Sequence, residues 1–165
     1  MSLWNRFIFG GALCISSLFI FLNMDESLGF AISRSYGVPA RSIFALFQDG
    51  TFFALTGADE ITFDLVEGGA FCFKFTGRGE IGGKFIEVIP NRKIKMEWNV
   101  EGFMMAKEVG TLVTIAIEEG GQTTVTVEHD NIPTNESKDA KLKAWSEILA
   151  DMEYKLNGPE YDSSP

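Results

Sequence analysis

Residues 77–82, Gly-Arg-Gly-Glu-Ile-Gly, spell G-x-G-x-x-G, and Lys84 stands two positions beyond. Glycines at this spacing let a backbone approach a pyrophosphate closely, with a lysine as counter-charge. That chemistry needs a strand before the motif and a helix N-terminus after it, because the helix end holds the phosphates. The strand is present in "AFCFKFT". The segment beyond the glycines, "GKFIEVIP", is β-branched, alternating and stopped by Pro90, so no helix opens there. Lys84 precedes Phe85 rather than Ser or Thr, which removes the Walker pattern as well. The glycines therefore read as turn and bulge positions, and Lys84 as a solvated strand residue.

The other residues with chemical potential are few. His129 is the single histidine, so a zinc site would have to be improvised from carboxylates, and no metal or other cofactor is expected. It ends a strand on the side of Val125 and Val127 and reads as a packed or rim residue. No G-x-S-x-G elbow occurs. Cys14 and Cys72 form no C-x-x-C pair, and Cys72 points away from the Phe71, Phe73 and Phe75 stripe, so it reads as inert. Glu80, Glu87, Glu97, Glu101 and Glu128 fall on strands or turns as a solvated face. Glu87 is the acid to watch: its parity with Phe85 and Ile89 places it at the edge of an apolar interior, where burial would make it a proton donor. No catalytic residue is assigned.

The elements that must position these residues come from periodicity. "GFAISRSY" alternates as a first strand, with Ile32, Arg34 and Tyr36 on one face. "VPARSIFALFQDG" reads as a short helix entered at Pro39 and stopped near Gly50, and "TFFALTG" as a second short helical piece ended by Gly57. From Ile61 the period becomes two through "EITF", "AFCFKFT", "GKFIEVI", "IKMEWNV" and the hairpin arms around Glu119-Gly-Gly-Gln122. After Pro133, Leu142, Trp145, Leu149, Met152 and Leu156 recur at helical spacing up to Asn157-Gly158. Strands joined by tight turns pair antiparallel, and one apolar sheet face needs a cover. The sequence thus predicts an α+β domain over residues 28–157. In it a curved antiparallel sheet of about six to seven strands wraps a long C-terminal helix. Residues 158–165 form a polar tail.

Residues 1–24 are a separate hydrophobic segment, uncharged from Phe7 to Leu22 after Arg6. The run is short of the roughly 20 apolar residues of a full span. It is compatible with a signal peptide or short signal anchor, with an upstream-start artefact in a chain that begins at Met24, or with an added helix packed on the domain. The first reading makes the protein exported or membrane-anchored, with membrane contact only through residues 7–22. The second makes it cytoplasmic. At a formal net charge of −9 the chain would repel nucleic acid, and no such partner is expected.

The apolar stripes of the strands face the helix, and a curled sheet can leave a groove there for a small apolar ligand. The expected wall is Phe71, Phe73, Phe85, Met96 and Trp98 from one half of the sheet. Ile115, Val127 and His129 come from the other half, with Trp145, Leu149 and Met152 from the helix and Glu87 at the rim. The same residues serve equally as plain core.

Several stretches resemble one family. "EGGAFCFKFTGRGEIGGKFIEVIPNRKIKMEW", "VTIAIEEGGQTTVTVEHDNIP" and "AWSEIL" are similar to the C-terminal domain of the heat-shock-protein-90 ATPase activator and its single-domain relatives in the START-like (SRPBCC) superfamily. The resemblance covers about residues 30 to 156 and includes Gly83-x-Phe85-x-Glu87, Lys93-Ile94-x-Met96-x-Trp98, Pro133 and Trp145. It implies a helix-grip fold with two short helices after the first strand. It also implies a ligand groove between sheet and helix, a chaperone partner and a stress-response role, or a cyclase- or hydratase-type activity. Where chaperone-activating members carry a second tryptophan soon after Trp98, this chain has Asn99 and then Phe103, Met104 and Met105.

Overall fold

Helical periodicity after Pro133 and alternation before it are realised as a sheet laid around one long helix. The computed structural model describes residues 27–157, so the readings made for residues 1–24 and 158–165 lie outside the described residues. The elements are β1 (Leu28–Tyr36), α1 (Ala40–Gln48), α2 (Thr51–Ala54), β2 (Glu60–Phe63), β3 (Ala70–Phe75), β4 (Gly79–Ile89), β5 (Lys93–Gly102), β6 (Glu108–Glu119), β7 (Thr123–Ile132) and α3 (Asn135–Asn157). Seven strands form one sheet in the order β1-β7-β6-β5-β4-β3-β2, every pair antiparallel. Consecutive strands are neighbours except β1, which returns to the far edge beside β7. With α3 packed against the inner face, this is the helix-grip fold.

Strand alternation sets the core. Phe71, Phe73 and Phe75 on β3, Ile94, Met96, Trp98 and Val100 on β5, and Val113, Ile115 and Ile117 on β6 are all buried. From α3, Trp145, Leu149, Met152 and Leu156 bury against them, joined by Ile148. Leu142, one turn before Trp145, is only half-buried. The short helices add Phe47, Phe52 and Phe53, each almost fully enclosed. Each such side chain contributes about 1.5–3 kcal/mol by leaving water, so the aromatic stripes hold helix and sheet together.

Polar ties fix the ends. The N-cap of α1 is Pro39, which has no side-chain acceptor, and the Glu119 carboxylate from the β6–β7 hairpin accepts from the Ala40 N–H at 2.8 Å instead. Thr123 donates its hydroxyl to the Val38 carbonyl at 2.5 Å from the same hairpin. At α3 the Thr134 hydroxyl accepts from the Ser137 N–H at 3.1 Å, an ordinary N-cap. On β1, the buried Tyr36 hydroxyl donates to the Leu149 carbonyl at 2.7 Å, and burial pushes its phenol pKa up. Arg34 reaches Glu153 of α3, an exposed pair worth little by itself.

The glycine stretch is the β3–β4 turn and its flanks, as its spacing indicated. Gly77 has φ 70° in the turn itself. Gly83 serves close approach: a Cβ there would lie 1.9 Å from the Glu97 carbonyl oxygen on β5. At Gly82 the nearest atom to such a Cβ is the Phe71 carbonyl oxygen, at 3.2 Å. We therefore expect Gly83→Ala to destabilise the domain by about 1–3 kcal/mol, the range of overpacking, and Gly82→Ala by clearly less. Urea unfolding of both variants checks this; equal midpoints would contradict the close-approach assignment.

Candidate functional site

Polar groups inside the sheet–helix layer are few, and they are connected. His129 on β7 is fully enclosed. Its Nδ1 accepts from the Trp145 indole N–H of α3 at 3.1 Å, and its Nε2 lies 3.0 Å from the Thr111 hydroxyl of β6. Thr111 in turn donates to the Trp98 carbonyl at 2.6 Å. With its proton committed there, the Thr111 oxygen can only accept from the imidazole. The histidine is thus held as the neutral Nε2–H tautomer by partners on both sides. Burial, with a smaller push from the Lys141 charge, lowers its pKa to about 3.

A second cluster lies at the start of β6 and the first turns of α3. Glu108 is buried and accepts from the Ser137 hydroxyl and from the Lys141 ammonium, both on α3. Lys141 also donates to the Ser137 oxygen at 2.7 Å. Among the described residues no buried side-chain polar atom lacks a partner. A buried carboxylate with its cation and a hydroxyl locks the helix start to the sheet; it offers no free base.

Of the residues expected to line a groove, Phe71, Phe73, Phe85, Met96, Trp98, Ile115, Val127, His129, Trp145, Leu149 and Met152 all converge on this layer and are buried. They touch one another. Trp98 and Trp145 have ring centroids 5.4 Å apart, Phe71 and Trp98 5.7 Å, and Phe52 stacks on Trp145 at 6.3 Å.

Glu87 is elsewhere. A bulge puts one extra residue, Ile86, into β4, so that Phe85 pairs with Met96 but Glu87 pairs with Lys95 on the outer face. There it is half-exposed and bonds Lys93 at 2.7 Å. The period-two reading of Glu87 as an interior-edge acid is corrected by that one residue. It and His129 are not brought together.

Sequence reasoning missed Glu108, Thr111, Ser137 and Lys141. The helical i, i+4 spacing of Ser137 and Lys141 was a usable signal. Glu108 had none, because a bulge at Val109–Gly110 inverts the parity of β6 there and pairs Glu108 with Val100. Cys72 is half-buried on the outer face and unpaired among the described residues. Among the described residues no group of three or more His, Cys, Asp or Glu side chains is placed to hold a metal.

Comparisons place the arrangement among known proteins. The family model described as "Activator of Hsp90 ATPase homolog 1-like protein" matches residues 37–156. The HSP90 activator PFC0360w of Plasmodium falciparum is 26% identical over 78% of this chain and 96% of its own, with a TM-score of 0.61. The Aha1 dimer of Colwellia psychrerythraea is 20% identical over 81% and 98%, TM-score 0.64. CalU16 of Micromonospora echinospora is 20% identical over 80% and 78%, TM-score 0.62. The last two, at that identity, share the fold. No curated protein sequence matches the chain.

Two outcomes are expected of the buried groups. His129 stays neutral in the fold down to about pH 3 but takes a proton in the unfolded chain below its ordinary value of 6.5. Its contribution to stability is complete above pH 6.5 and is lost as pH falls toward 3, by up to about 1.4 kcal/mol per pH unit. Between pH 6.5 and 5, urea unfolding should show this slope in the native chain and not in His129→Gln; equal slopes would contradict it. Lys141→Met should cost about 3–5 kcal/mol by leaving the Glu108 carboxylate buried without its cation. Adding Glu108→Gln should recover most of that loss, and a double variant as unstable as the single one would refute the pairing.

Proposed function

This chain belongs to the activator of Hsp90 ATPase homolog 1-like family, and from that premise we propose that it is a chaperone-partner protein that docks on an Hsp90-type ATPase and raises its turnover. The carrying observation is the filled sheet–helix layer: Trp98, Trp145, Phe71 and Phe52 occupy it and pack on one another. An interior so occupied favours recognition through the surface. The likeness to the Plasmodium falciparum activator supports the same reading. Its place in a stress response would follow from that partner.

A second reading is a small apolar ligand held between sheet and α3, with the eleven buried residues named for the groove, Glu87 excluded, as its wall. The Phe71, Phe73, Trp98 and Trp145 rings around the connected polar groups of His129 and Thr111 favour it; the ligand would enter by displacing side chains. Native mass spectrometry after exposure to a lipid extract is its test, and a chain that carries nothing counts against it. A cyclase or hydratase would require Glu87 and His129 in one cavity, and they lie on different sides of the sheet.

The chaperone reading is tested by titrating the purified chain into the Hsp90 of the same source. The ATPase rate should rise saturably with added chain. An unchanged rate at saturating concentration would reject the proposal.

A further inference from the structure

The two edges of the sheet are built differently. At one edge β2 is four residues long, whereas β1 at the other runs nine residues from Leu28 to Tyr36. Long bare edges invite further strands, and short length, lysines, prolines and bulges are the usual defences. β1 contains no lysine or proline, and its one register irregularity lies between Leu28 and Phe30. Its single charge, Arg34, is drawn back onto Glu153 of α3. The Ser33 and Ser35 hydroxyls are turned along the sheet to Thr126 and Thr124 of β7, at 2.8 and 2.9 Å.

Register shows which main-chain groups β1 leaves free. The Ile117 N–H donates to the Arg92 carbonyl at 2.8 Å, so β6 turns the main-chain groups of Val113, Ile115 and Ile117 toward β5. Their β7 partners, His129, Val127 and Val125, therefore turn toward β1 and meet Phe30, Ile32 and Arg34 there. The alternate residues Ala31, Ser33 and Ser35 point their N–H and C=O groups away from the sheet, and all three are exposed. Among the described residues no backbone hydrogen bond reaches these groups.

Beside this edge lies an open groove of about 590 Å³ between β1 and α3, lined by Ile32, Asp139, Leu142, Lys143, Ser146 and Glu147. Ile32 and Leu142, both half-buried, form its apolar floor. The uncompensated charges that border the edge are acidic. Glu128 lies opposite Ala31 on the outer face, and Asp130 packs over Gly29, where an added Cβ would be 2.5 Å from its carboxylate. Asp139 adds a third acid at the groove. Among the described residues these three have no cationic partner, while the nearby cations Arg34 and Lys143 are held by Glu153 and Glu147. The geometry points to the free edge of β1 as a strand-addition site for a basic, amphipathic peptide segment of a partner protein. The segment's main chain pairs with Ala31, Ser33 and Ser35. Its apolar side chains lie in the groove over Ile32 and Leu142, and its lysines or arginines, on the alternate face, meet Glu128 and Asp130. This surface requires neither the chaperone reading nor an apolar ligand in the interior.

Fluorescence anisotropy on the full 165-residue chain tests this. The probe is a labelled heptapeptide in which valine alternates with lysine, and its counterpart carries glutamate in place of lysine. The lysine peptide should bind saturably, and the glutamate peptide at least about tenfold less tightly. Ser33→Pro removes one outward N–H at a position where an edge strand accepts proline. It should weaken the lysine peptide by about tenfold and leave the urea midpoint of the chain nearly unchanged. Glu128→Lys, an exposed position, should weaken it several-fold. Hydrogen exchange decides in the native chain, without any variant: bound peptide should protect the amides of Ala31, Ser33 and Ser35 and not those of β2. Absence of saturable binding overturns the proposal, and so does equal binding of the two peptides. Protection elsewhere with these three amides unchanged, or undiminished binding to a folded Ser33→Pro chain, overturns it as well. A dimer seen by light scattering without peptide, and abolished by Ser33→Pro, assigns the edge to a second copy of the chain and also overturns it.

Discussion

The indole N–H of Trp145 is buried at the centre of an apolar layer, and it must find an acceptor there or cost the fold a desolvated donor. His129 Nδ1 is that acceptor, at 3.1 Å. The choice propagates. An imidazole that accepts at Nδ1 carries its proton on Nε2, which must then be accepted by Thr111. The Thr111 hydroxyl is free to accept because it has given its own proton to the Trp98 carbonyl. One helix and three strands, α3, β7, β6 and β5, are thereby set against each other at a single register. The aromatic contacts around this chain are strong but nearly directionless; the hydrogen bonds decide which of many similar packings is adopted.

This organisation bears on function by subtraction. A histidine with both nitrogens committed and a pKa near 3 exchanges no proton at neutral pH. The buried acid, Glu108, is paired with the Lys141 ammonium and accepts from the Ser137 hydroxyl. The polar groups inside the domain are engaged in holding it together, and the rings of Trp98, Trp145 and Phe71 pack on one another around them.

Much of the fold was legible in the sequence because period two and period 3.6 are set by which face is buried. The alternation of Ile94, Met96, Trp98 and Val100 named an inner face, and the Trp145, Leu149, Met152 spacing named its cover. The glycine run, which spells a nucleotide fingerprint, was recognisable as a turn once its flanks were read as strands. The sites were less legible, for one physical reason. A bulge adds a residue and inverts strand parity beyond it. The bulge at Ile86 sends Glu87 outward, and the one at Val109–Gly110 brings Glu108 inward, so periodicity selected the wrong acid. Hydrogen bonds between elements distant in sequence, such as Glu119 capping α1, leave no local pattern to read.

A neutral histidine clamped between Trp145 and Thr111 organises the domain. Nitrogen-15 NMR of the imidazole measures this directly. At pH 7, and unchanged down to pH 5, His129 should show a protonated Nε2 and a bare Nδ1, with hydrogen-bond coupling from Nδ1 to the Trp145 indole. A protonated Nδ1, or an imidazole that titrates near its ordinary pKa of 6.5, would contradict the account.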